Sequence, residues 1–144
     1  MCAAIELKET ILRPGGWVCV WAQMSGLRLV WAGFARSETL PWWKKKGAEL
    51  VDVPAEKFAE RSGLTGELRW DVVPRGHVVR GIIDCSGKTP LLKVVTRASD
   101  AAELARFEHP RMPLIEVPLF SAEPVGEDLL PPLPKPLWEQ GSLF

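Results

Sequence analysis

The chain opens Met1-Cys2, and once Met1 is removed Cys2 carries a free amine and a thiol on adjacent carbons. That pair reacts with aldehydes in a way no other residue can. An α-amine of pKa ~8 is partly neutral at pH 7 and attacks the carbonyl carbon to give an imine, and a thiol of pKa ~8.5 then closes on the imine carbon as a five-membered thiazolidine. The other cysteines, Cys19 and Cys85, leave an odd count with no close pair, so neither a disulfide framework nor a cysteine-based zinc site is expected. His77 and His109 are the remaining ligand types, and no metal site or cofactor is expected.

Four further motifs follow in order: Ala35-Arg36-Ser37-Glu38-Thr39, Val53-Pro54-Ala55-Glu56-Lys57-Phe58-Ala59-Glu60, Gly81-Ile82-Ile83-Asp84 and His109-Pro110-Arg111-Met112-Pro113-Leu114-Ile115. With Met1-Cys2 they resemble the SOS-response-associated peptidase (SRAP) family. Its members begin Met-Cys and continue through Asn-Ala-Arg-x-Glu-Thr, Ile-Pro-Ala-x-x-Phe-x-Glu, Ala-Gly-Leu-Trp and His-x-Arg-Met-Pro-Val-Ile. Ala101-Ala102-Glu103-Leu104 also fits the family's Ala-x-Glu-Leu before the histidine, and the resemblance covers about residues 30–117 plus the opening dipeptide.

The resemblance implies that mature Cys2 crosslinks to the ring-opened aldehyde of an abasic site in single-stranded DNA, and that the same thiol removes the residue before it, a thiol-dependent autopeptidase step. Glu60 matches the family's catalytic glutamate and His109 its catalytic histidine, groups able to exchange protons near neutrality. Arg36 and Arg111 match arginines that hold DNA phosphates, a role suited to the planar, always-charged guanidinium. Trp31 or the Trp42-Trp43 pair stands in for the family's stacking tryptophan, and base stacking on such a ring contributes ~1–3 kcal/mol per base. Three features depart from the family: Phe34 replaces the asparagine before Ala-Arg, the stretch between Cys2 and Ala35 is short, so that an early strand region is missing, and Gly81-Ile82-Ile83-Asp84 lacks a tryptophan. Bland readings stand beside these roles. Glu60 as a solvated carboxylate, His109 as a cap of helix carbonyls, and Arg36 and Arg111 as ion-pair partners of Glu38 and Glu108 fit the same residues, while His77 fits no motif.

The elements that must position these groups are mostly strands. Val- and Trp-rich runs at 17–24 and 27–34 flank Ser25-Gly26 and predict a β-hairpin, and 49–53 predicts a strand. Pro54 then opens a predicted short helix that ends at Gly63 and carries Glu60. Residues 67–73, 77–84 and 90–96 predict neighbouring antiparallel strands. Asp100 and Glu103 form a capping-box pattern for a second helix that must stop by His109, before Pro110. Residues 113–120 predict an edge strand bounded by prolines. Most of the seven tryptophans are expected in the core. The reading is one α+β, sheet-dominated domain over 1–122 with a mixed or antiparallel β core and two short helices.

A Pro-rich tether over 123–139 follows, reading as extended and mostly disordered. The chain then ends Gln140-Gly141-Ser142-Leu143-Phe144, which resembles the bacterial sliding-clamp-binding pentapeptide. Leu143 and Phe144 suit an apolar pocket and Gln140 its polar rim. Eighteen basic residues balance eighteen acidic ones, so no overall field draws the chain to nucleic acid or an anionic membrane, and any DNA contact must come from a local patch. No apolar run reaches the ~20 residues of a membrane helix, so a cytoplasmic, nucleoid-associated monomer is expected. Single-stranded abasic DNA and the sliding clamp are the expected partners. The rival expectations are a degenerate SRAP-like binding module and a clamp-binding accessory or inhibitor.

Overall fold

A computed structural model describes residues 2–23 and 25–120. The tether and the Gln140, Leu143, Phe144 peptide lie outside the described residues. In chain order the elements are β1 (Cys2–Leu7), β2 (Thr10–Leu12), β3 (Trp17–Trp21), β4 (Gly26–Arg36), a 3₁₀ turn (Ser37–Thr39), α1 (Leu40–Lys45), β5 (Glu49–Val53), β6 (Lys57–Arg61), β7 (Leu68–Val72), β8 (Val78–Asp84), β9 (Leu91–Ala98), α2 (Ala101–Phe107), β10 (Arg111–Pro113) and β11 (Ile115–Glu116). The fold is α+β and dominated by its sheets.

The strands form two layers. One is a four-stranded antiparallel sheet in the order β2-β1-β6-β7. The other runs β9-β4-β3-β5-β8 and closes on itself through a β8–β9 pairing, with β4 and β9 parallel and the remaining neighbours antiparallel. Closure removes the open edges that such a sheet would otherwise present. Valines alternate inward along these strands, and Val18, Val20, Val51, Val53, Val79 and Val94 share one core with Ile5 and Phe58 of the four-stranded sheet. Gly81 is fitted to that interior, since a Cβ there would stand 2.7 Å from a Leu92 methyl and 3.0 Å from one of Val53. A smaller cluster of Ala35, Ile82 and Val95 is covered by Leu40 and Trp43 of α1.

The hairpin forms, with Trp17 opposite Val30 and Trp21 opposite Gly26. Its turn is not at Ser25-Gly26, because Ala22 N–H bonds the Ser25 carbonyl (2.9 Å) and Gly26 already belongs to β4. The second helix has its full capping box: Asp100 accepts from Glu103 N–H at 2.8 Å, and Glu103 accepts from Asp100 N–H at 3.0 Å. It stops at Glu108, whose φ of 52° is left-handed.

Other expectations are corrected. Residues 57–61 of the expected Pro54–Gly63 helix are a strand, because β6 lies between β1 and β7 and buries Phe58, Ala59 and Glu60 in succession. Helix propensity in Ala-Glu-Lys yields to that burial. The strand at 68–72 does not neighbour β8; it pairs with β6 in the other sheet. Residues 113–120 make no single edge strand. β10 pairs with β9 and β11 with β8, while Leu114 between them bonds Val95 (2.9 Å) and Arg80 (2.8 Å), filling the gap where β8 and β9 part. Strands β1 and β2, which no signal in the sequence marks, come first in the fold, and Trp42 and Trp43 lie on a helix that the basic stretch concealed. Among the described tryptophans only Trp31 is fully buried; Trp17 and Trp42 are exposed and Trp21, Trp43 and Trp70 are partly covered, since the closed interior is filled by valines and leucines instead.

Candidate active site

Cys2 and Glu60 are direct cross-strand partners on β1 and β6. Opposed residues of an antiparallel pair have Cβ atoms about 4.5–5.5 Å apart. The register slips between Cys2 and Ala4, leaving Ala3 as an extra residue, a bulge of the kind that re-aims a side chain. Both side chains are buried. His109, some fifty residues further along the chain, brings Nδ1 to 3.8 Å from Glu60 Oε2. The three residues singled out as catalytic candidates therefore meet.

His109 reaches this position through the end of α2. Gly63 N–H, just past β6, bonds the Glu108 carbonyl at 2.8 Å. Arg69, opposite Glu60 on β7, pairs with the Glu108 carboxylate and donates to the Arg106 carbonyl at 2.8 Å. Below these polar ties Phe58 of β6 packs on Phe107, ring centroids 5.8 Å apart. Strand β6 thus carries Glu60 and also holds the turn that carries His109. Arg69 was not singled out in the sequence; only the β6–β7 register reveals it.

Burial sets the protonation states. It pushes the Cys2 thiol far above the ordinary thiol range, and the nearby Glu60 carboxylate adds to the effect. Burial also pushes the Glu60 carboxyl up to about 7. The His109 imidazole is moved below its usual value, again chiefly by burial, with its hydrogen bond to the Arg111 backbone opposing. Near neutrality the trio is a protonated thiol, a carboxyl that exchanges its proton readily and a neutral imidazole. With its proton on Nε2, His109 accepts Arg111 N–H at Nδ1 (3.0 Å); with a proton on Nδ1 it donates to the Arg111 carbonyl (2.9 Å).

Cys2 and His109 line a cleft of about 390 Å³ whose walls include Pro14, Phe34, Arg61 and Gly63. Phe34 reaches it because β4 carries an extra residue at Ala32-Gly33: Trp31 pairs with Leu92 but Phe34 with Val94. Gly33 has φ +98°, which glycine adopts without strain. Phe34 then stands edge-on to Trp31, centroids 5.8 Å apart.

The other candidates divide. Arg36 is exposed at the end of β4, opposite Thr96. Arg111 bonds the Thr96 carbonyl at 2.7 Å and takes both Glu38 oxygens at 3.1 Å, the ion pair that the bland reading describes. Hydrogen bonds from Arg111 and then Ser37 hold the Glu38 carboxyl down at about 2. Glu108 pairs with Arg69 and not with either candidate arginine. Trp31 does not present a stacking face: it is fully buried and its Nε1 donates to the Gly33 carbonyl at 3.2 Å. Trp42 is exposed and Trp43 half-buried on α1, the pair meeting edge to face at 4.9 Å, and neither lines the cleft. No group of three metal-ligating side chains occurs among the described residues, and no helix there is long and apolar enough to cross a membrane. No family model, curated protein or solved structure matches the chain.

Proposed function

We propose that the protein, once Met1 is removed, forms a covalent thiazolidine through Cys2 with the aldehyde of an abasic site in single-stranded DNA. The observation that carries this reading is that Cys2, Glu60 and His109 meet from three separate parts of the chain, with Cys2 and His109 lining one cleft and Glu60 buried beside both. The Cys2 amine adds to the aldehyde carbon, and the carbinolamine loses water to give an imine. The thiol then adds across the C=N bond. A C–N and a C–S bond form, one water leaves and nothing is oxidised or reduced. A buried thiol needs a base beside it, and Glu60, with its carboxyl near 7, accepts the thiol proton for return to the ring nitrogen. Neutral His109 first acts as a base, taking the proton that the amine nitrogen sheds on addition, and the imidazolium so formed gives that proton to the departing water. Met1 removal uses the same thiol, through a thioester on the Met1 carbonyl carbon that water hydrolyses.

Phe34 favours a second reading. Its ring lines the cleft where the SRAP family has an amide, and a phenyl group neither donates nor accepts the hydrogen bonds an amide offers the reacting amine. On that reading the domain binds DNA or a partner without bond formation. One gel separates the two: Met1-processed protein incubated with an abasic single-stranded oligonucleotide gives a denaturant-resistant shifted band that Cys2→Ala abolishes. Absence of that band leaves the binding module. The terminal Gln140, Leu143 and Phe144 are proposed to dock on the sliding clamp, raising the domain's local concentration at replication forks; deleting 140–144 removes clamp binding and leaves crosslinking to free oligonucleotide unchanged.

A further inference from the structure

The cleft beside Cys2 has a chemical polarity of its own. Cys2 and His109 line it together with the apolar Pro14 and Phe34 and the exposed, charged Arg61. Arg61 is the last residue of β6 and is exposed, directly after the buried run Phe58, Ala59 and Glu60. The charge of Arg61 is also uncommitted in a way that its neighbours' charges are not. The guanidiniums of Arg69, Arg97, Arg106 and Arg111 each face a carboxylate, whereas Arg61 donates to the Gly66 carbonyl at 2.6 Å. A neutral carbonyl orients the guanidinium without cancelling its charge and leaves further N–H donors for an anion.

We infer that Arg61 is a phosphate-holding residue of this cleft, selecting aldehydes carried on a phosphodiester and setting the strand so that the base-free sugar faces Cys2. The inference rests on the crosslinking reading for the identity of the sugar, and not for the phosphate contact itself. Arg61 lies outside the arginines that the motifs point to, Arg36 and Arg111, and adds a contact from β6, the strand that carries Glu60. A guanidinium fits phosphate oxygens with two parallel N–H donors, which fixes orientation as well as affinity. Pro14 and Phe34, which line the same cleft, suit a deoxyribose face stripped of its base.

Two measurements on the full chain test it. The first is equilibrium binding, by fluorescence anisotropy against salt, of a single-stranded oligonucleotide carrying a tetrahydrofuran abasic analogue, which has no aldehyde. Arg61→Gln is expected to weaken binding about 10-fold at low salt and to reduce the slope of log affinity against log salt by ~0.7, the loss of one single-strand phosphate contact; Arg61→Lys keeps the slope. The second is the rate of Cys2 adduct formation, read by intact mass, with an aldehyde-bearing oligonucleotide and with propionaldehyde. Arg61→Gln lowers the first rate about 10-fold and leaves the second unchanged. Unchanged affinity and salt slope in Arg61→Gln overturn the inference, as does an equal loss of rate with both aldehydes. If wild-type protein forms no adduct with either aldehyde while binding still depends on Arg61, the crosslinking reading falls and the phosphate contact stands.

Discussion

Glu60 joins stability to chemistry through a single proton. Its carboxyl is pushed up to about 7 from an ordinary 4.5 because it is fully buried. Between those two values the folded protein holds a proton that the unfolded chain has released. The stabilisation is therefore fully present below about 4.5 and is lost as pH rises through about 7, a change of about 3 kcal/mol. Glu60→Gln, a neutral near-isostere, flattens that dependence, so the variant matches wild type near pH 4.5 and is the more stable protein at pH 8 by denaturant unfolding. On the proposed function, its crosslinking rate is expected to fall about 10²-fold and to lose the inflection near pH 7, since the amide cannot take the thiol proton. A crosslinking profile that keeps the inflection in Glu60→Gln assigns it to another group. Cys2 is the complementary case, a thiol that burial keeps protonated beside its cross-strand neighbour Glu60.

At the scale of elements, local signals with a geometric mechanism were legible in the sequence and those that depend on neighbours were not. The Asp100–Glu103 capping box and Pro110 bounded α2 correctly because cap geometry is local. The strands at 17–21, 49–53, 78–84 and 91–98 were readable from their β-branched and Trp-rich runs. Strand β6 was hidden because its residues favour a helix in isolation and take up a strand only between β1 and β7. That misreading matters to the site: on a helix Glu60 would be one more solvated carboxylate, whereas on β6 it faces Cys2. The order of the motifs singles out Cys2, Glu60 and His109, which the fold brings together, while the contacts of Arg69 and Phe107 around them come only with the register. Arg69→Ala removes its bonds to the Arg106 carbonyl and the Glu108 carboxylate. It is expected to cost about 1–2 kcal/mol and to slow crosslinking about 10-fold by loosening His109, while binding to the tetrahydrofuran oligonucleotide stays within twofold. Gly33→Ala tests the β4 bulge. An added Cβ would meet only Lys93 Nζ at 3.5 Å, an ordinary contact, so the expected cost of about 1–3 kcal/mol in denaturant unfolding comes from the backbone at φ +98°.

For the whole molecule, the question is what fastens the last described segment, from which the tail departs. Side-chain packing does little of it: Val117 is 68% exposed, Leu119 53% and Phe120 38%. The fastening is polar and comes from within the closed sheet. Asp52 of β5 and Arg80 of β8 form a fully buried ion pair at 2.7 Å. Asp52 accepts the backbone N–H groups of Leu119 (3.0 Å) and Phe120 (2.7 Å), and Arg80 donates to the Val117 carbonyl at 3.3 Å. A buried pair contributes less net stability than its Coulomb attraction suggests, yet removing one partner leaves an uncompensated charge inside and costs about 3–5 kcal/mol. Asp52→Asn is therefore expected to lower unfolding free energy by about 3 kcal/mol. The double variant Asp52→Leu, Arg80→Met removes both charges and recovers most of that loss, but it restores no acceptor for Leu119 and Phe120. Hydrogen exchange separates the two contributions: in the double variant the amides of Leu119 and Phe120 exchange rapidly while those of β8 and β9 keep their protection. If both amides stay protected, Asp52 is a core ion-pair partner alone and the tail's point of departure is fixed by something else.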